Sequence, residues 1–406
     1  VSRFHSYLNS AISILNTYNG KEPFAAFLKK HFAANKKYGS KDRKQISHLC
    51  YCYLRLGKAG SNLKADEKIV VSLFLCSDQP NELLEQLKPE WNEKVSLPLN
   101  DKISMLNGSI NLTDIFPFTA ELSEGIDSNA FIQSLLIQPN LFLRIRPGQE
   151  KNVIRKLEQA TIAYKQIDDT SIALPNSTKT EDIIELNKEA VIQDLSSQRI
   201  GSFLQNIQSE IQNQKSKIKI WDCCAASGGK SILAKDILGD IDLTVSDIRE
   251  SIMSNLHKRF KEAGISKYHS FIADLSDPKL KIQNSNSQPA FSIPHSPFSI
   301  IIADVPCSGS GTWSRTPEQL IHFDNAEINR YGTLQKKIIS QVIPHLEQGG
   351  YFLYITCSVF RKENEENVAY IKEKFRLDII KTECIKGYDK KADSMFAALF
   401  KKTIAG

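Results

Sequence analysis

Two cysteines stand at the ends of apolar runs of the kind that form buried strands, and the chain's candidate chemistry starts with them. Cys307 lies in Asp304-Val305-Pro306-Cys307-Ser308-Gly309, after Phe298-Ser299-Ile300-Ile301-Ile302-Ala303. Cys357 lies in Thr356-Cys357-Ser358, after Tyr351-Phe352-Leu353-Tyr354-Ile355. In open α/β sheets, ligands sit just beyond the carboxyl ends of the strands. A thiolate delivered to that rim is a strong nucleophile once its pKa is lowered. Either cysteine alone reads first as a small buried core residue, which is common. The residues at the other strand ends change that reading.

Trp221-Asp222-Cys223-Cys224-Ala225-Ala226-Ser227-Gly228-Gly229-Lys230 ends one candidate strand and opens a helix. Small residues there let the backbone approach a ligand closely. The segment is not a P-loop, because the first glycine of that pattern would fall at Cys224, and it lacks the three-glycine dinucleotide fingerprint. Asp247 ends a second candidate strand, where an acid can accept hydrogen bonds from ribose hydroxyls. Asp274 ends a third and could hold an adenine amino group. Each aspartate alone reads as a helix cap or a solvated strand end. Taken in order, Gly228-Gly229, Asp247, Asp274 and Asp304 describe a nucleoside-containing cofactor lying across a sheet edge.

The elements that must position these groups follow from the hydrophobic pattern. From about Gly201 the chain alternates strand, loop and helix, with candidate strands Lys217–Trp221, Leu243–Ser246, His269–Ile272, Phe298–Ala303 and Tyr351–Ile355, and a later one around Met395–Phe400. Such alternation means a mostly parallel sheet with helices on both faces. Gln283 to Pro297 is polar and Ser/Pro-rich and reads as a loop insertion. The first third reads as helical. Phe4, Leu8, Ala11, Ile12 and Leu15 recur at helical spacing, Pro23 suits a helix start, and Asp42 suits a cap for a third helix. On that third helix Arg43, Lys44 and Arg55 are expected on the wet side. Between these parts, Phe142-Leu143-Arg144-Ile145-Arg146 alternates like a half-buried strand, followed by a helix near Lys151–Ala160 and a strand at Ser171–Leu174. The expected division is 1–125 helical, 126–200 a small α+β linking module, and 201–406 the α/β domain.

Composition limits the alternatives. At 406 residues the chain exceeds one compact core. The net charge of +6 hides an asymmetry: from Val1 to Gly60 the only acids are Glu22 and Asp42, against bases that include Lys29, Lys30, Lys36, Lys37, Arg43 and Lys44. A basic cluster in one folded segment is the footprint of a polyanion partner, although a solvated Lys-rich face has the same composition. No apolar run is long enough to span a bilayer, and Val1 to Ser10 lacks a signal-peptide pattern. The eight cysteines show no zinc-ligand spacing, so no metal is expected, and free thiols suit a reducing, cytoplasmic compartment. A monomer is expected. His257 and His322 fall in no motif.

The segments Asp222–Lys230, Asp304–Gly309 and Thr356–Ser358 resemble the signature motifs of the Sun/Fmu (RsmB-like) family of RNA cytosine-5 methyltransferases. Asp247, Asp274, Gly311-Thr312 with Arg315 and Pro317, and Glu363-Asn364-Glu365 lie where that family has counterparts, and the likeness extends upstream to Val191–Gln198. Asp42–Ile46 through Tyr53–Arg55 is similar to the NusB-like helical domain such enzymes often carry. The resemblance implies a Rossmann-like α/β methyltransferase domain preceded by an all-helical NusB-like RNA-binding domain. It implies that Cys224, Ala225, Ala226, Ser227, Gly228, Gly229 and Lys230, with Asp247, Asp274 and Asp304, bind S-adenosylmethionine. It also implies that Cys357 is the nucleophile and that Cys307 assists product release, with Lys230 orienting Asp304 or lowering a thiol pKa. The family usually has proline where this chain has Ser227, and losing the fixed φ of proline implies a looser loop. The implied partner is RNA, with small-subunit (16S) ribosomal RNA ahead of transfer RNA. Competing readings are a DNA cytosine-5 methyltransferase, which uses the cysteine of a Pro-Cys motif, and an RNA-binding assembly factor without catalysis.

Overall fold

The computed structural model describes residues 3–211, 217–279, 282–283 and 297–403. The chain forms two compact units. One comprises Val1–Leu122, Asp127–Gln138 and Thr312–Asn325; the other comprises Ser123–Ile126, Pro139–Gly311 and Ala326–Gly406.

The first unit is helical, as the spacing of its apolar residues implies. Helices Arg3–Thr17, Phe24–Ala34, Ser40–Arg55 and Ala65–Cys76 bury Ala11, Ile14, Phe24, Ile46, Leu49 and Leu73. Pro23 is the residue before the second helix. Asp42 is not the cap of the third helix: Gly39 holds that position, and Asp42, three residues in, accepts the Gly39 N–H at 2.9 Å. This is the inner half of a capping box, a role for which the carboxylate reach is suited. Arg55 is not on the wet side either. It is 3 % exposed, and its Nη1 donates to the carbonyls of Leu135, Ile137 and Ser314. A guanidinium has five donors, and free carbonyls at the end of helix Ser128–Leu135 supply acceptors that no helical wheel reveals. The segment Thr312–Asn325 belongs to this unit through Trp313 and Phe323, which pack edge-on and tilted against Phe116 and Phe118.

The second unit contains two sheets. Strands β1 (Leu141–Ile145), β2 (Lys165–Gln166), β3 (Ser171–Leu174) and β4 (Ala190–Ile192) form an antiparallel sheet in the order β2-β3-β1-β4. β1 is buried rather than half-buried: its basic residue, Arg144, turns inward and pairs with Asp236 at 2.7 Å, where Arg146 joins it at 2.6 Å. Pairing with a buried carboxylate makes an interior arginine tolerable.

The larger sheet contains β5 (Ile218–Asp222), β6 (Ile241–Asp247), β7 (His269–Ala273), β8 (Ile282–Gln283), β9 (Phe298–Asp304), β10 (Leu346–Thr356), β11 (Leu377–Ile385) and β12 (Met395–Lys402). Their order is β11-β12-β10-β9-β5-β6-β7-β8. The five central strands are parallel; β8 and β12 run antiparallel to them at the two sides, and β11 pairs antiparallel with β12. This is a Rossmann-like sheet. The order reverses between β5 and β9, the point at which such sheets open a ligand crevice. Its two faces are covered by separate apolar clusters, one including Leu243, Leu256 and Phe260, the other Trp221, Ile339 and Phe352. The polar insertion expected at Gln283–Pro297 lies, for residues 284–296, outside the described residues.

Candidate active site

The crevice at the carboxyl ends of β5, β6, β7, β9 and β10 is a cavity of about 580 Å³. Its lining includes Cys224, Ala226, Asp247, Asp274, Asp304, Cys307 and Cys357, so seven of the sequence-predicted residues, from five strand ends, share one site, whereas Ala225, Ser227, Gly228, Gly229 and Lys230 do not line it. The register explains the meeting: Asp304 at the end of β9 lies beside Ile355 of β10, and the chain turns into each cysteine loop directly afterwards. The Cys307 and Cys357 sulfurs are 3.6 Å apart. The neighbouring Cys357 sulfur and burial push the Cys307 thiol well above its ordinary value, with the Cys357 and Glu363 charges adding to the effect.

Lys230 rises from the first turn of helix Gly229–Leu238 and points its Nζ at Asp304 Oδ2, 3.0 Å away, and at Ser197 Oγ, 2.7 Å away. Burial disfavours its charge, but Asp304 more than compensates and raises its pKa. The ammonium is therefore held charged within reach of the thiol pair. Asp222, at the end of β5, is fully buried, and burial pushes its carboxyl up to about 7 despite a 2.6 Å hydrogen bond from Ser231. Its second oxygen has no hydrogen-bond partner among the described residues.

The glycine turn follows β5. Ala225 N–H donates to Ser246 O, and Ala226 N–H donates to Asp247 Oδ2 at 3.0 Å, so the turn is fastened to the end of β6. Gly228 has φ +82°, and a Cβ there would lie 2.5 Å from Phe260. A Cβ on Gly229 would meet nothing within 4 Å. Ser227 is not loose: its Oγ and its carbonyl both accept from Arg259 Nη1, at 2.7 and 3.0 Å, and Arg259 is itself held by Asn187. A side-chain tie thus stands where proline would restrict φ.

Asp247 Oδ1 accepts from the backbone and Nε of Arg249, both at 3.0 Å, and Asp274 Oδ1 accepts from the backbone and hydroxyl of Ser276. Sequence reasoning missed Arg249, Ser197, and the cavity face formed by Tyr331, Leu334 and Ile338 of helix Ala326–Val342. It gave no role to Asp222. An acid inside an otherwise apolar run before the glycine turn was the available signal.

These residues fit S-adenosylmethionine. The volume suits a nucleoside-sized ligand. Three carboxylates on the rim suit a cationic sulfonium and hydroxyl donors, and Ile248, Leu275, Leu334 and Ile338 offer apolar surface to a flat base. The open space above Gly229, at a helix amino end, suits a carboxylate. No grouping of side chains among the described residues could hold a metal ion, and no described helix is long and apolar enough to cross a membrane. The described residues of all eight cysteines are free thiols.

Comparison with known proteins agrees with this geometry. Residues 210–399 match the family described as 16S rRNA methyltransferase RsmB/F. Ribosomal RNA small subunit methyltransferase B of Enterobacter sp. (strain 638) is 30% identical over 178 residues, covering 44% of this chain and 37% of that protein. The tRNA (cytosine(72)-C(5))-methyltransferase NSUN6 of Mus musculus is 31% identical over 182 residues, covering 43% and 37%. The chain therefore spans just over a third of the length of these relatives. The crystal structure of PH0851 superposes with a TM-score of 0.64 at 14% identity, covering 98% of both chains, which is a likeness of fold. Residues 210–399, the part that builds this cavity, are thus similar to the RsmB/F methyltransferase family.

Proposed function

We propose that this protein transfers a methyl group from S-adenosylmethionine to carbon 5 of a cytosine in RNA through a covalent bond to Cys357. The observation that carries the reading is the pair of thiols 3.6 Å apart at the ends of neighbouring parallel strands, beside Lys230, Asp304 and the glycine turn. Carbon 5 of cytosine is too weak a nucleophile to take a methyl group unaided. The Cys357 thiolate adds to carbon 6, forming a C–S bond and moving the ring electrons toward carbon 5 and nitrogen 3. As the charge develops, nitrogen 3 takes up a proton, and the Asp304 carboxylate, held by Lys230, accepts the resulting N–H and steadies the protonated ring. When bound, S-adenosylmethionine supplies an electrophilic methyl group. Carbon 5 then bears both methyl and proton. Cys307 removes the proton, and the released electron pair expels the Cys357 sulfur and restores the ring. The target base must leave its stack to reach the cavity.

Small-subunit ribosomal RNA is the favoured substrate, supported by the description of the matched family and by the name of the Enterobacter relative. The basic segment Val1–Gly60 suits an RNA backbone. Transfer RNA is the second reading, because NSUN6 matches the same stretch at similar identity. Methylation assays on bare small-subunit RNA, assembled subunits and tRNA separate the two. The first reading expects transfer to one of the ribosomal substrates, and transfer to tRNA alone overturns it. Turnover retained by Cys357→Ala would instead favour the Pro-Cys chemistry of DNA methyltransferases. Absence of cofactor binding in calorimetry would favour a non-catalytic RNA-binding role.

A further inference from the structure

Cys307 and Cys357 stand on separate loops, yet one buried side chain reaches both. Glu363 is 0 % exposed. Its Oε2 accepts the Ser308 N–H and a Gln335 Nε2–H, each at 2.9 Å, and its Oε1 accepts the Ser358 hydroxyl at 2.6 Å. Gln335 Nε2 also donates to the Pro306 carbonyl at 3.0 Å, so the backbone is gripped on both sides of Cys307. Asn364 grips the other loop in the same way. Its Oδ1 accepts from Thr356 Oγ1 at 2.6 Å and its Nδ2 donates to the Ser358 carbonyl at 2.9 Å, one bond on either side of Cys357.

A buried carboxylate is a poor choice for stability alone, since apolar packing of similar volume does as well or better. What it offers here is directional: two oxygens that accept from two different loops at fixed angles. We propose that Glu363 is a positioning residue, which ties the segment after Cys307 to the segment after Cys357 and thereby sets the gap between the two thiols. The charges around the pair are arranged consistently. The Glu363 carboxylate bears on Cys307, whereas the Lys230 ammonium is faced by Cys357. Each thiol therefore has a charged neighbour of opposite sign to that of the other. The inference rests on the two-thiol reading above, but it is tested without RNA or cofactor.

The full chain is equilibrated with mixtures of reduced and oxidised glutathione, and the Cys307–Cys357 linked peptide is quantified by mass spectrometry. Each thiol gives up its proton, the pair loses two electrons, and glutathione disulfide takes them up to become two thiols. The ratio at half-oxidation gives the effective concentration of one thiol at the other. Glu363→Gln keeps the shape but replaces one acceptor oxygen by a donor nitrogen, leaving either Ser308 N–H or Ser358 O–H without its partner. We expect the effective concentration to fall by about 10- to 100-fold, the penalty that a displacement of about 1 Å carries. S-adenosylmethionine affinity should change little, and kcat should fall while the KM for RNA holds. Ser358→Ala removes the other end of the tie and should produce the same fall if Glu363→Gln does not fold. An unchanged effective concentration in the folded variants, or no disulfide in the unaltered protein, overturns the proposal. A fall in effective concentration in a protein that methylates no RNA upholds the positioning role and removes the methyltransferase reading instead.

Discussion

The buried Asp222 makes the stability of this protein fall as pH rises through neutrality. Its carboxyl sits at the end of β5 with Ser231 as its one hydrogen-bond partner among the described residues, and burial lifts its pKa from 3.8 to about 7. The native state therefore binds a proton that the unfolded chain has already lost between those two values. Stability declines with pH wherever the native state holds more protons than the unfolded state. Below pH 4 both states are protonated and the contribution is fully present; above about pH 7 it is gone. A span of about 3 pH units at about 1.4 kcal/mol per unit gives a total of ~4 kcal/mol. Asp222→Asn removes the titration while keeping the shape and an acceptor for Ser231. Urea unfolding of both proteins from pH 5 to pH 8 should show the variant gaining on the parent by about 2.5 kcal/mol over that range. The gain should level off above pH 8. A difference that is flat with pH would refute the reasoning, because it would mean that Asp222 is ionised in the native protein throughout or is solvated by the cavity.

Three further outcomes concern the glycine turn and the residues around it. Gly228→Ala forces an alanine into φ +82° against Phe260, and should cost about 1–3 kcal/mol in unfolding measurements with weakened cofactor binding in calorimetry. Arg259→Ala removes both ties to Ser227, and should raise the Kd for S-adenosylmethionine several-fold while the variant Ser227→Pro/Arg259→Ala recovers part of that loss, read by the same calorimetry. Arg249→Ala frees Asp247 of its exposed guanidinium, and should tighten cofactor binding at low salt and leave it unchanged at high salt, where that ion pair is already screened.

The parallel strands were legible because both of their faces are covered, so each reads as a nearly unbroken apolar run, as in Ile300-Ile301-Ile302-Ala303. The rim residues were legible for the same reason: they are the first polar groups after such runs. β11 was not anticipated, since an edge strand with Asp378, Lys381 and Glu383 among its residues gives no such run. Arg55 was misplaced because its acceptors lie 80 to 259 residues away in sequence. Glu363 could be matched to a motif but not understood, because the donors that surround it come from three separate segments, Ser308, Gln335 and Ser358. Periodicity reports which face of an element is buried. It does not report which distant polar atoms will meet there.

The proposed covalent bond from Cys357 to cytosine is tested most directly with Cys307→Ala, the variant in which release should stall. Incubated with cellular RNA and S-adenosylmethionine, it should accumulate a protein–RNA adduct that survives denaturation and disappears when Cys357 is also replaced. Sequencing the trapped RNA would then identify the modified cytosine. No adduct with Cys307→Ala, together with undiminished methylation by Cys357→Ala, would contradict the account.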